Sequence, residues 1–154
     1  LQKGYSYWIM QVKRRLAYQS AFLQRHQDTE ILCKSNRKIA AMHFGGITIE
    51  CLLKSMILAS VSSQEWKTDS NNPGHTITNP GHSFTDALKR HNRLYSRVQN
   101  FPEVIKWINI VENPSQNFID MRYSSSEPND DKYKEWLSAY TGLKQWLQKQ
   151  ATQL

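Results

Sequence analysis

The segment Lys38–Leu58, KIAAMHFGGITIECLLKSMIL, constrains the fold of this chain more than any other. Its apolar and small residues recur at intervals of three and four, which predicts a helix with a buried face. These residues are Met42, Gly46, Ile49, Leu53, Met56 and Ile57. The adjacent Gly45 and Gly46 each cost a helix about 1 kcal/mol relative to alanine. Such a cost is acceptable where another helix must approach the backbone, so we predict close packing at the glycine pair.

Three polar residues, His43, Glu50 and Lys54, lie beside this apolar face. Glu50 and Lys54 form an i,i+4 pair in the favourable order, which contributes a few tenths of a kcal/mol on an exposed surface. On a mostly apolar helix the same pair is partly desolvated, which costs more and points to a role. A structural pair and a functional pair are both consistent with the pattern.

Helical spacing continues along the rest of the chain. It predicts a first helix over Tyr5–Arg25, with Trp8, Val12, Leu16 and Leu23 on one side. A third helix is predicted over Phe84–Tyr95, with His91 on its inner side. A fourth helix opens at Pro102, a short helical turn lies within Ser115–Met121, and a last helix begins at Asp130 or Asp131. No run alternates apolar and polar residues between turns, as a strand would. The sequence therefore predicts an all-α fold: one domain, residues 1–154, forming an antiparallel up-and-down bundle of about five helices.

Candidate helix caps stand between the predicted helices. Ser83 precedes the third helix at the N-cap position. For the central helix, three residues of the polar segment 26–36 are alternatives, namely Asp28, Thr29 and Asn36.

The segment 62–82, SSQEWKTDSNNPGHTITNPGH, is predicted to be a long loop because it is rich in Ser, Asn, Pro and Gly. It contains the duplicated turn signal Asn-Pro-Gly-His, ending at His75 and at His82. No Cys or carboxylate stands at ligand spacing beside these histidines, so we expect neither a metal site nor a cofactor.

The composition permits a polyanionic partner. Lys and Arg total 20 against 13 Asp and Glu, which gives a net charge of +7. The isolated Cys33 and Cys51 indicate reduced thiols, and no apolar run reaches the roughly 18 residues of a membrane span. We expect a cytoplasmic protein without a signal peptide or a membrane partner.

Three segments carry a resemblance to a known family. His43–Ile57 resembles the second-helix signature of the HEPN (higher eukaryotes and prokaryotes nucleotide-binding) domains, in which Glu precedes Leu-Lys on a small, apolar helix. Gly81–Leu88 is similar to the family's His-Asp-Leu stretch, with Ser83 in place of Asp. Met121-Arg122-Tyr123 resembles the Arg-Tyr that comes before the last helix.

The resemblance implies a helical bundle, often a homodimer, that binds a nucleotide or RNA or accompanies a nucleotidyltransferase in toxin–antitoxin or stress modules. Many members are ribonucleases with Arg-x4–6-His in a late helix. This chain lacks that motif, because no histidine follows His91. The spacing Arg37-x5-His43 occurs on the second helix, where residues six apart point about 120° away from each other.

We therefore expect a non-catalytic module that binds a nucleotide or RNA. Its candidate residues are His43, Glu50, Lys54, Arg122, Tyr123, Arg90 and Arg93, because Arg and Lys bind phosphate and Tyr stacks on a base. One alternative is an interaction protein without ligand, with Gly45-Gly46 or the aromatic last helix at its interface. The other is a metal-independent ribonuclease that combines Arg122 with His43, Glu50 or His91.

Overall fold

The computed structural model describes residues 2–61, 66 and 78–153, with side chains from residue 15 onwards. The helices are α1 (Gln2–Lys34), α2 (Lys38–Ser60), α3 (Phe84–Lys89), α4 (Asn92–Gln99), α5 (Pro102–Glu112) and α6 (Asp130–Ala151), with a 3-10 helix at Asp120–Tyr123. No strand occurs within these described ranges. The all-α prediction is confirmed, with six α-helices in the described chain where about five were expected.

Helix α2 is the core of the bundle. It packs against α1 over most of its length, and against α6, α3, α5 and the 3-10 helix elsewhere. Among the described residues it is also the one helix long and apolar enough to cross a membrane, yet 78% of its most apolar window is buried inside the bundle. Such burial is typical of the core helix of a folded domain.

The glycine pair is where aromatic rings reach the α2 backbone, as the sequence predicted. A Cβ at Gly45 would lie well under 3 Å from the ring of Trp136, and a Cβ at Gly46 equally close to that of Phe118. Trp136 and Phe118 are 1% and 0% exposed. Contact between these rings and a bare backbone offsets the low helix propensity of glycine.

The junction between α1 and α2 corrects two predictions. Helix α1 continues through the polar segment to Lys34 instead of ending at Arg25. It ends in a Schellman motif: Asn36 has φ 56°, its N–H donates to the Cys33 carbonyl, and the N–H of Arg37 donates to the Leu32 carbonyl. Asn36 therefore closes α1 instead of capping α2, whose first turn has no side-chain cap.

The other two predicted caps are also wrong, because both residues lie inside α1. Asp28 pairs with Arg25 at 2.9 Å, and the Thr29 hydroxyl donates to the Arg25 carbonyl. These are i,i+3 and i,i+4 interactions of a continuing helix.

The inner face of α1 differs from the predicted one. Leu16 and Leu23 are 49% and 57% exposed, whereas Phe22 and Thr29 are buried against α2. Phe22 and Thr29 share another helical face, which is the one that α2 covers. The predicted contributions of Trp8 and Val12 lie outside the described side chains.

The predicted third helix is broken into α3 and α4 at Arg90 and His91. The backbone of His91 is non-helical, with φ −130° and ψ 87°, and its Nδ1 accepts the N–H of Leu94 at 3.2 Å. The ring thus caps α4, in the manner of an N-cap acceptor. His91 is 5% exposed, which confirms its predicted position on the inner side, and Ser83 caps α3 as expected.

The last elements lie close to their predicted positions. Helix α5 begins at Pro102, and α6 begins at Asp130, where Asn129 Oδ1 accepts the N–H of Lys132 at 2.8 Å. The short turn expected over Ser115–Met121 is instead the 3-10 helix Asp120–Tyr123.

Candidate functional site

A cleft opens where the start of α2 meets the 3-10 helix. It has a volume of about 340 Å³ and contains two residues of the predicted site, His43 and Arg122. The other lining residues are Arg37, Ile39, Ala40, Ser124, Ser125 and Glu127. The structure thus brings together cationic and hydroxyl side chains from two separate stretches of the chain, residues 37–43 and 122–127.

Buried anchors hold the walls of this cleft in place. Met121, which is 1% exposed, fixes the 3-10 helix and so positions its neighbour Arg122. On the opposite wall, the Schellman motif sets the direction in which α2 starts, and Arg37 stands at that start. The two exposed arginines therefore project from backbone segments with defined geometry.

His43 is oriented by the backbone of the segment before the 3-10 helix. Its Nδ1 lies 2.9 Å from the carbonyl oxygen of Phe118. Since a carbonyl only accepts, Nδ1 carries the proton, and Nε2 of a neutral ring is left as the acceptor. The side chain of Phe118 is fully buried, and the centre of its ring lies 5.1 Å from that of Phe84. The carbonyl that orients His43 therefore belongs to a residue held in place by core packing.

Tyr123 extends the site beyond the cleft. Its side chain is 77% exposed, and the guanidinium carbon of Arg122 lies 4.8 Å from the centre of its ring. An exposed aromatic ring beside arginine is a surface on which a base can stack. Arg122 thus links this ring to the cleft.

The charge of the cleft favours an anion. Arg37 and Arg122 supply two permanent positive charges, and Glu127 is the one carboxylate that lines it within the described chain. Guanidinium groups bind phosphate through paired hydrogen bonds, and serine hydroxyls add donors. No group of three metal-ligating side chains occurs in residues 2–61, 66 and 78–153.

Glu50 and Lys54 lie elsewhere, in a partly buried ion-pair cluster. The Lys54 Nζ is 3.5 Å from Glu50 Oε2, and the His82 Nδ1 is 2.5 Å from Glu50 Oε1. The two α2 side chains are only 13% and 6% exposed, and Lys54 also lies over the ring of Tyr18. These contacts join α2 to α1 and to the segment before α3, and they confirm the desolvated pair that the sequence suggested.

The basic residues of the third predicted helix are separate from the cleft as well. Arg90 Nε and Nη2 donate to the carbonyl and hydroxyl of Thr78 at 2.6 and 2.7 Å, and Nη1 donates to the Asp86 carbonyl. Arg93 is exposed at the edge of a second cavity. The seven predicted residues therefore do not form one site. His43, Arg122 and the adjacent Tyr123 lie at the cleft, and Glu50 and Lys54 share the ion-pair cluster. Arg90 and Arg93 lie apart from both.

Arg37 belongs to the site although the sequence pattern did not predict it. The spacing of Arg37 and His43 was visible, but the helical rotation between them argued against it. Arg37 precedes α2 with φ −92° and ψ 75°, so the rotation of an α-helix does not describe its direction. No sequence motif or spacing identified Ser124 or Ser125 as lining residues of the cleft.

In comparisons with known proteins, no protein-family model, no curated protein and no solved structure matches this chain.

Proposed function

We propose that this protein is a non-catalytic, HEPN-like module that binds a nucleotide or RNA in the cleft of Arg37, His43 and Arg122. The observation that carries the proposal is the convergence of two arginines and an oriented histidine beside one exposed tyrosine. The arginines hold a phosphate, and the Tyr123 ring stacks on a base.

The family resemblance supports the same location. Two of its three segments contain His43 and Arg122, which line one cleft although 79 positions separate them (122 − 43). Agreement between a sequence signature and a spatial cluster is more informative than either alone. The third segment contains His82, which binds Glu50 and therefore has a structural contact of its own.

The proposal includes the setting that the resemblance implies. A cytoplasmic protein has access to RNA and nucleotides, and the free Cys33 and Cys51 suit a reducing compartment. Membership of a toxin–antitoxin or stress module, with a nucleotidyltransferase as partner, follows from the same resemblance.

A titration at two salt concentrations tests the binding. Fluorescein-labelled single-stranded RNA of eight nucleotides, and separately ATP, are added to wild-type protein and to Arg122→Gln. Loss of a hydrogen bond to a charged group costs about 1.5–3 kcal/mol, so we expect roughly 10- to 100-fold weaker binding. For RNA, removal of one phosphate contact also lowers the salt slope by about 1.

Lys106→Gln is the matched control, because Lys106 is exposed on α5 and lies outside the cleft. It removes one positive charge, as Arg122→Gln does. Its affinity should stay close to that of the wild type. Equal losses in both variants would show that binding depends only on the overall charge, and salt-insensitive or absent binding would refute the proposal.

Cleavage of RNA is a second candidate, favoured by the orientation of His43. A proton on Nδ1 leaves Nε2 free to take the proton of a ribose 2′-OH, whose oxygen attacks the adjacent phosphorus. The 5′-oxygen then leaves with that proton, giving a cyclic 2′,3′-phosphate and a 5′-OH. His43→Ala should abolish this product without preventing binding, whereas cleavage that persists in His43→Ala and in Arg122→Ala would come from a contaminant.

The ligand-free interaction protein has less support from the described residues. Gly45 and Gly46 contact Trp136 and Phe118 of the same chain, and the aromatic face of α6 is buried inside the bundle. Both features are thus used within one molecule. A homodimer remains part of the proposal, and light scattering of the purified protein tests it.

A further inference from the structure

A second cavity lies at the opposite end of α2 from the cleft. Its volume is about 500 Å³, within the range of small-molecule sites. Its floor is apolar and is formed by Phe22 of α1 with Leu52 and Met56 of α2. Met56 comes thirteen residues after His43, which corresponds to about 20 Å along a helix. The cavity is therefore a separate site.

Polar groups of α4 stand at one edge of this cavity. His91 and Arg93 both line it, and no Asp or Glu is among its described lining residues. Within the described chain Arg93 has no ion-pair partner, and its side chain is exposed. The edge thus carries a positive charge that no residue of the cavity balances.

His91 lines the cavity and can act as a hydrogen-bond donor there. The residue is 95% buried (5% exposed), and its Nδ1 is occupied as acceptor of the Leu94 N–H. In the neutral ring the proton is then on Nε2, for which the described residues supply no acceptor. Burial lowers the pKa of His91, and the nearby Arg93 and Arg97 lower it further, so the ring stays neutral at pH 7.

We propose that this cavity binds an amphipathic carboxylic acid, with its apolar tail on Phe22, Leu52 and Met56 and its carboxylate between Arg93 and the Nε2–H of His91. The ligand complements both parts of the site, because an apolar body fits the floor and a single negative charge meets the unbalanced arginine. A nucleotide is a poorer match, since a base stacks on an exposed aromatic ring and Phe22 is only 6% exposed.

Isothermal titration calorimetry with sodium octanoate and with 1-octanol tests the proposal, because the two ligands share a tail and differ in charge. We expect saturable, one-to-one binding of octanoate, with a negative heat-capacity change from burial of the tail. Octanol should bind roughly tenfold more weakly or worse, since it lacks the charge-assisted hydrogen bonds. Octyl phosphate, added as a third ligand, should bind no better than octanoate.

Three exposed positions, Arg93, Lys89 and Ala59, provide variants that leave the core intact. Arg93→Met should weaken octanoate roughly tenfold and leave octanol unchanged, whereas Lys89→Met, a loss of charge outside the cavity, should change neither. Ala59→Trp at the rim should block both ligands.

Absence of octanoate binding to the wild type would overturn the proposal. It would also be overturned if octanol bound as tightly as octanoate, or if octyl phosphate bound much more tightly. These outcomes do not depend on any variant folding, and they are independent of RNA binding at the cleft.

Discussion

Replacement of Gly46 by alanine probes the packing on which the cleft depends. The added methyl group would lie 2.5 Å from the Cβ of Phe118 and closer still to its ring. Rotation of the phenyl ring alone cannot relieve this overlap, because the Cβ moves only with the backbone. Phe118 is 0% exposed and packed against Phe84, so the backbone has little room to retreat.

The expected loss of stability follows from two opposing effects. Overpacking of a close-packed core costs about 1–3 kcal/mol, and this contact belongs at the upper end. Alanine recovers about 1 kcal/mol of helix propensity relative to glycine. The net loss is about 2 kcal/mol, which lowers the melting temperature of a chain of this size by roughly 4–8 °C.

Urea denaturation of Gly46→Ala beside Gly142→Ala measures this difference. In the Gly142→Ala control, the new Cβ would lie 2.8 Å from the ring of Trp107, which is only half-buried and can turn outward. The stability of Gly142→Ala should therefore stay within about 1 kcal/mol of the wild type. Since the Phe118 carbonyl orients His43, Gly46→Ala should also weaken RNA binding. A Gly46→Ala protein as stable as the wild type would refute the packing argument.

Three further predictions concern buried ionisable groups. Glu50→Gln leaves the buried Lys54 without its counter-charge and should cost about 3 kcal/mol in urea denaturation, and an unchanged midpoint would contradict the buried pair. Burial lowers the pKa of His26 and of His91, so the unfolded state binds more protons than the folded state below about pH 6.5. The free energy of unfolding should therefore fall from pH 7.5 to pH 5.5. The fall should be smaller in His26→Gln, and an equal fall would exclude His26 as a source of the pH dependence. Burial raises the pKa of Cys51 to about 11, so the native thiol should react with iodoacetamide at pH 8 far more slowly than in urea, and equal rates would contradict its burial.

The parts of the fold that could be predicted are those fixed by local pattern. The apolar spacing of α2 and Pro102 at the start of α5 each determine an element with few alternatives, and α6 begins at Asp130, one of the two predicted positions. The glycine pair predicted a close approach, although not the rings that make it.

The parts that could not be predicted depend on tertiary contacts. Asn36 can cap a helix at either end, and the hydrogen bonds of the surrounding backbone decide which. The break at His91 requires its ring to cap α4, which the apolar spacing does not reveal.

The same limit applies to the candidate site. His43 and Arg122 could be proposed from the resemblance, but the direction of Arg37 depends on the turn that precedes α2. The place of Glu50 in a partly buried ion-pair cluster depends on its contact with His82, which lies in a loop 32 positions further along the chain. No sequence pattern links these two residues.

A crystal structure of the protein with a short single-stranded RNA would show whether the cleft is the binding site. We expect a phosphate within hydrogen-bonding distance of Arg37 and Arg122, with a neighbouring base stacked on Tyr123. RNA bound along Arg90 and Arg93 instead, with the cleft of Arg37, His43 and Arg122 unoccupied, would contradict this expectation.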